Sequence, residues 1–418
     1  ATRHHLPTVL PARHPPAMRH LSPVTLVFSV MLLFGCDARS SSTENEALLA
    51  RADSLVRATI IVDGHIDVPY RLDAFYEDIS EATFGGDFDY PRAAAGGLDA
   101  PFMSIYIPAE YQETGGAAEK ADSLIDMVDG FVEQWPDKFA HARFVEDVRA
   151  NFEAGRISLP MGMENGAPIG DDLSRLAYFY DRGIRYITLT HSRVNLISDS
   201  SYDTTRVHHG LSPFGEEVVR EMNRLGMIVD VSHVSDSAFY DVMDVTTAPV
   251  MATHSSARAF TPGWERNMSD DMIERLAENG GVIMINFGSS FLREGYDAEG
   301  DAIRDSLLRE LEEAGYEEGT AEWVRRFEEE RKNHLIGTTE DVVAHINHVV
   351  DLVGIEHVGL GSDYDGVFAL PAGLEDASTY PHLVYHLLLE GYSDEDIRKI
   401  LGENALRVWS DVEAEAGR

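Results

Sequence analysis

Eight short apolar runs, rich in β-branched residues, recur along this chain with helix-patterned segments between them. They are Ile60-Ile-Val62, Phe102-Met-Ser-Ile-Tyr-Ile107, Ile157-Ser-Leu-Pro-Met161, Tyr186-Ile-Thr-Leu-Thr190, Met227-Ile-Val-Asp-Val231, Pro249-Val-Met-Ala252, Val282-Ile-Met-Ile-Asn286 and His357-Val-Gly-Leu360. Continuous apolar strands alternating with helices belong to a parallel sheet covered on both faces. Eight such units predict closure into a (β/α)8 barrel of the TIM type, which fills 418 residues as one domain with insertions. Helix punctuation agrees. Ser212-Pro213 opens a segment that ends at Gly226, Ser269 opens one ending at Gly280, and Ser393 opens one ending at Gly402. Residues 292–335 are longer and more charged than a barrel linker needs, and read as a helical insertion after the seventh strand.

Polar residues fall at the strand ends. The first strand leads into His65 and Asp67, the third into Glu164, the fourth into His191, the fifth into His233, the sixth into His254 and the eighth into Asp363. Catalysis in such barrels sits on this rim. A lone strand-end histidine is usually a satisfied hydrogen-bond partner. So many imidazoles and carboxylates on one rim would bury unpaired charge, and a metal resolves that cost. The donor set suits zinc, with manganese or cobalt as alternatives. His65 and Asp67 alternate on a strand and share a face. The donors outnumber the needs of one tetrahedral ion, which predicts two metals sharing a carboxylate. None of the four lysines (Lys120, Lys138, Lys332, Lys399) lies on an expected strand, so a carboxylated lysine cannot bridge and Glu164 is expected to. Such a pair lowers the pKa of water and supplies a bridging hydroxide to attack a carbonyl, with Asp363 as the expected proton carrier. No Gly-x-Ser-x-Gly elbow offers a competing nucleophile.

Composition excludes one class of partner. Asp and Glu number 72 against 34 Lys and Arg, a net charge of −38, which repels nucleic acid. The start of the chain carries an address: basic residues, then Val24-Thr-Leu-Val-Phe-Ser-Val-Met-Leu-Leu-Phe34, then Gly35-Cys36. That run is short for a membrane span and reads as a secretory signal. Leu33-Phe-Gly-Cys36 resembles a bacterial lipobox, so residues 1–36 are expected to be a signal peptide whose cleavage leaves a lipid on Cys36. Cys36 is the sole cysteine, which precludes an intrachain disulfide. Residues 37–46 are expected to be a flexible polar tether, and 47–418 the barrel. The expected location is outside the bacterial cytoplasm, on the periplasmic side or the cell surface, with the membrane reached only through the lipid.

Several stretches resemble the membrane (renal) dipeptidases, a family of zinc peptidases. They are Val62-Asp-Gly-His-Ile-Asp67, Gly162-Met-Glu-Asn-Gly166, Arg185-Tyr-Ile-Thr-Leu-Thr-His191, Gly210-Leu-Ser-Pro-Phe-Gly215, Asp230-Val-Ser-His-Val-Ser235, His254-Ser-Ser-Ala257, Arg266-Asn267 with Asp270-Asp271, and Gly361-Ser-Asp-Tyr-Asp-Gly366. The resemblance implies a peptide hydrolase that cleaves L,L and L,D dipeptides. It implies that His65 and Asp67 hold one zinc, that Glu164 bridges to a second, and that His233 and His254 complete the second site. His191 would contact the substrate near the scissile carbonyl, Arg266 would pair with its terminal carboxylate, and Asp363 would touch the attacking water and the free amino group. A homodimer is a further expectation. The sequence departs from the family twice: Gly288 follows Phe287 where an aromatic residue is expected, and the loop after His191 lacks a tryptophan. Both bear on side-chain preference. Beta-lactam or lactone hydrolysis on the same site is the nearest alternative chemistry, and a metal-bound lipoprotein that binds without turnover is the alternative of another class.

Overall fold

The computed structural model describes residues 31–417, with side chains described from Asn45 onward. Contacts divide the chain into Ala1–Ala47 and a compact unit, Leu48–Arg418. A helix, Met31–Ala58, begins in the first and ends in the second. Residues 37–46, expected as a flexible tether, lie within this helix, which contains a run of good helix formers, Glu46-Ala-Leu-Leu-Ala-Arg51. The expected signal segment and the Cys36 side chain lie outside the described residues. No helix among the described residues is long and apolar enough to cross a membrane.

Ten strands follow. They are β1 (Ile61–Ile66), β2 (Leu98–Tyr106), β3 (Phe139–His141), β4 (Ile157–Leu159), β5 (Met161–Glu164), β6 (Ile184–Thr188), β7 (Ile228–Asp230), β8 (Met251–Ser255), β9 (Val282–Ile285) and β10 (Val358–Leu360). Eight close into a parallel barrel in the order β1-β10-β9-β8-β7-β6-β5-β2, with helices outside it. The fold is the expected (β/α)8 barrel.

The third apolar run divides at Pro160. Residues before it form β4, which pairs with β3 in a separate two-stranded sheet, and residues after it form the barrel strand β5. Proline lacks the N–H that a central strand must donate, so one strand cannot run through it. Helix caps follow the sequence: the Ser212 side chain accepts from Gly215 N at 2.9 Å, and Gly226 takes the left-handed conformation (φ 73°) that ends Pro213–Leu225.

The barrel interior is filled from its N-terminal end. Trp409, on the C-terminal helix Asn404–Glu415, packs on Phe102 with ring centres 5.2 Å apart, and Phe102 packs on Tyr186 at 5.2 Å. The Tyr186 ring fits because the facing position is Gly162; a Cβ there would stand 1.9 Å from Tyr186 Cζ. Truncating a buried ring such as Trp409 costs about 3–5 kcal/mol. This column carries the floor of the site, since the Tyr186 hydroxyl stands 2.8 Å from His65 Nδ1.

Between β9 and β10 the segment 292–335 forms two helices, Tyr296–Glu313 and Ala321–Arg331. The second is anchored on the barrel. Buried Arg331 donates to Asp87 Oδ1 (2.7 Å) and Glu328 Oε2 (2.9 Å), Asp365 N donates to Asp87 Oδ2 (3.2 Å), and Arg71 Nε donates to Asp365 Oδ2 (2.9 Å).

Candidate metal centre

Register places the site. Tyr106, Glu164, Thr188 and Asp230 are successive partners across β2, β5, β6 and β7, so Glu164 stands at the mouth. Beneath it, buried Asp230 accepts from Thr188 Oγ1 (2.5 Å), Thr253 Oγ1 (2.7 Å), Ser232 N (2.9 Å) and Thr253 N (3.0 Å). That carboxylate locks the ends of three strands. Asp63 does the same at β1 and β10, accepting from His65 N and Ser362 N, each at 3.0 Å.

Every residue expected at the metal converges there. His233 Nε2 and His254 Nε2 lie 3.0 and 3.3 Å from Glu164 Oε1, and 2.9 Å from each other. His65 Nε2 lies 3.5 Å from Glu164 Oε2 and 3.4 Å from Asp67 Oδ2. His191 Nε2 lies 3.7 Å from Glu164 Oε1. Three donor groups have ligand atoms within 4.8 Å of one another: His65, Glu164 and His254; Glu164, His191 and His233; His65, Asp67 and Asp363. Glu164 and His65 each belong to two of them, so the donors form one continuous cluster. His191 is a donor in this geometry as well as a candidate substrate contact.

Two of these residues hold backbone conformations that an L side chain rarely takes: His233 at φ 68° and Asp363 at φ 62°. Such strain costs on the order of 1–3 kcal/mol each and persists where surrounding structure enforces it, as it does at functional sites. Asp365, two residues from Asp363, turns away to Arg71 and Asp87 and takes no part.

Electrostatics separates the donors. Burial alone would raise the Glu164 carboxyl, but the imidazoles of His65, His191, His233 and His254 outweigh it and hold the group well below the usual carboxylate range. Burial, assisted by Arg266 and His191, holds His233 well below the usual imidazole range; burial and His65 do so for His254. Both rings are therefore neutral, as a metal ligand must be. Burial pushes Asp363 up to about 7, with Asp67 and Glu164 adding to the shift and His65 opposing it.

The cluster fits a metal on its own terms. His65 Nε2 and Asp67 Oδ1 are buried without a hydrogen-bond partner, and two neutral imidazoles facing each other through Nε2 can share one proton at most. Buried polar atoms left unpaired cost roughly 1–3 kcal/mol each. Divalent ions would satisfy them, and the nitrogen and carboxylate donors are those that borderline ions take.

The match to known proteins decides the family. A model of the membrane dipeptidases, peptidase family M19, matches residues 49–418. The chain belongs to that family. Dipeptidase tcpJ of Claviceps purpurea (strain 20.1) is 35% identical over 364 residues, 84% of this chain and 76% of that protein. The probable dipeptidase PvdM from Pseudomonas aeruginosa superposes with a TM-score of 0.74 at 26% identity, over 89% of this chain and all of that one. A metallopeptidase from Rhodobacter sphaeroides, bound to a phosphinate mimic of L-Ala-D-Ala, superposes with a TM-score of 0.68 at 28% identity, over 85% and 99% of the two chains. The protein is a metallo-dipeptidase, and its family implies a metal cofactor at this cluster.

A pocket of about 520 Å³ opens directly on Asp67, Glu164, His191, His233 and Asp363. The inserted helix Tyr296–Glu313 supplies part of its wall through Tyr296, Asp297, Asp301 and Arg304. Arg266 is buried beside it, donating to Ser255 Oγ (2.7 Å) and His254 O (2.8 Å). Sequence reasoning missed Tyr186, Asp230 and Asn286. Asn286 donates to Asp363 Oδ2 at 2.7 Å and ends the seventh apolar run, where other runs lead into titratable groups and an uncharged amide carries no comparable signal. His345, outside the cluster, has a structural role: its ring is buried between Ala257 N and Leu292 O.

Proposed function

We propose that this dipeptidase uses two zinc ions to hydrolyse L,L and L,D dipeptides, with Glu164 bridging the ions. The observation that carries the reading is the place of the Glu164 carboxylate. Its Oε2 faces His65, which neighbours Asp67, and its Oε1 faces His233 and His254. When bound, the ions supply Lewis acidity and acidify water enough for a hydroxide nucleophile at neutral pH.

The chain's own groups do the rest. Arg266 is a buried guanidinium with no carboxylate in ion-pair range among the described residues, so the substrate's terminal carboxylate is its natural counter-charge. Asp363 stands at the pocket beside His65 and Asp67, placed to take a proton from the attacking water and pass it to the leaving amine. Asn286 fixes the Asp363 rotamer through Oδ2 and leaves Oδ1 for that exchange. His191 rims the pocket beside Glu164, where it can donate to the scissile carbonyl's oxygen. The relative solved with the L-Ala-D-Ala mimic supports acceptance of a D-residue at the second position.

We also propose that the chain is exported and anchored by a lipid on Cys36, as the apolar run ending at Phe34 and the Gly35-Cys36 that follows it suggest.

Hydrolysis of a panel of L,L and L,D dipeptides by residues 47–418 with added zinc tests the reading, with Glu164→Gln run in parallel. Turnover by the parent chain that is lost in the variant is expected. A chain that binds metal but cleaves no dipeptide would move the activity to another amide or to a lactone.

A further inference from the structure

Arg266 is only 2% exposed and does not reach the pocket surface. Its guanidinium lies 4.9 Å over the ring of Phe291, and its Nε has no hydrogen-bond partner. What the pocket presents in its place is Tyr202, from the loop after β6. The Tyr202 ring stands 5.6 Å from that of His233 and 6.1 Å from that of Trp264, and its side chain interacts with Arg266. The residue is 43% exposed at the pocket, but its phenol end is largely enclosed and accepts a hydrogen bond from Arg266, which leaves the hydroxyl's own proton to donate to a ligand. The backbone that carries it is pinned at three points. Ser201 N donates to His233 O (2.8 Å), Tyr202 N to Ser200 Oγ (3.1 Å), and Arg206 Nη1 to Ser200 O (2.7 Å).

A carboxylate entering this pocket from the metal side therefore meets the Tyr202 phenol on its way to Arg266. The loop is too well tied to swing aside cheaply, which leaves sharing. We propose that Tyr202 is a substrate-binding residue whose hydroxyl donates to the same terminal carboxylate that Arg266 neutralises. The inference rests on the dipeptidase reading and adds a residue to it. It also answers the missing tryptophan after His191: an aromatic wall is present in this loop, but eleven residues after the histidine, and it carries a hydroxyl.

The test compares a dipeptide that the holoenzyme cleaves with the same dipeptide amidated at its C-terminus. Tyr202→Phe keeps the ring and removes the donor. Loss of a hydrogen bond to a charged group should raise KM for the free dipeptide by about tenfold or more, with a much smaller change in kcat. The amide, which presents no carboxylate, should lose little, so the preference for the free acid shrinks by the same factor. Tyr202→Leu, which removes the ring as well, should show at least the same selective loss. Metal content and thermal melting of both variants report whether the fold is kept. An unchanged KM in Tyr202→Phe would reduce Tyr202 to a wall, and equal losses on acid and amide would make its role structural; either overturns the proposal. If the parent enzyme cleaves no dipeptide at all, the dipeptidase reading itself fails and this inference falls with it.

Discussion

His233 and His254 face each other through their Nε2 atoms at 2.9 Å, and both point at the same oxygen of Glu164. Both rings are held in the neutral form, so without a metal the contact sets lone pair against lone pair unless a single proton is shared. Metal binding is therefore expected to contribute to folding stability. At a free metal concentration a hundredfold above Kd, the gain is about 2.7 kcal/mol. Chelation should lower Tm and re-addition of a divalent ion should restore it, as thermal melts would show. A Tm indifferent to chelator, with the metal demonstrably gone, would mean that the cluster is satisfied without it.

Tyr186 touches no expected substrate, yet its hydroxyl orients His65 through Nδ1. Partners of this kind set the tautomer and direction of a ligating imidazole, and their loss costs roughly 10–100-fold in metal affinity. Tyr186→Phe keeps the packing against Phe102 and removes only that contact. The expected result is weaker metal binding by competition titration with a chelator, with activity recovered at high metal. Unaltered affinity would show that β1 alone orients His65.

Asp363→Asn should separate proton transfer from metal binding. The Asn286 amide now donates to Asp363 Oδ2, and a carboxamide can still offer an oxygen there. General acid–base groups are worth about 10²–10⁴ in rate, so kcat is expected to fall by that factor when the variant is compared at the same metal loading as the parent. A fall of less than a few-fold would pass the proton role to another titratable group lining the pocket, such as His191.

The barrel and its rim were legible because six of the eight apolar runs lead into a His or carboxylate that physics does not place there for stability. His65, Asp67, Glu164, His191, His233, His254 and Asp363 all follow that rule. What escaped was of two kinds. The break at Pro160 lies inside one apolar run, and apolar continuity outweighed the proline although the proline carried the stronger signal. Tyr186, Asp230 and Asn286 sit within or at the end of strands as ordinary residues, and their roles depend on cross-strand register that periodicity does not specify. Tyr202 and the inserted wall of Tyr296 and Arg304 come from loops and an insertion, whose path over the mouth no local pattern encodes.

The insertion's anchor should be strong enough to measure. Arg331 is 7% exposed and holds Asp87, a fully buried carboxylate whose pKa it lowers against the opposing effect of burial. Removing one partner of a buried pair leaves the other uncompensated and costs about 3–5 kcal/mol. Arg331→Met is expected to lower the denaturation midpoint. It should also impair activity, because Asp87 and Asp365 tie this helix to the loop bearing Asp363. Stability lost without any change in kcat or KM would make the anchor purely structural.

Asp99, on β2 and away from the metal donors, gives a pH dependence that can be read cleanly. Its Oδ2 accepts from Ile61 N at 2.9 Å, and burial pushes its carboxyl from 3.8 up to about 7. Between these values the unfolded chain is ionised while the folded protein keeps the proton. The folded state thus binds more protons there, and this group's contribution to stability falls as pH rises from about 4 to about 7. Asp99→Asn keeps an acceptor for Ile61 and removes the titration. The variant should be more stable than the parent at pH 8 by on the order of 2 kcal/mol, discounted from roughly 4 because the group is partly solvated. The advantage should shrink as pH falls and vanish below about 4. Urea denaturation at pH 8, 6 and 4.5 measures it, and a pH-independent difference between variant and parent would show that Asp99 is ionised in the folded protein throughout.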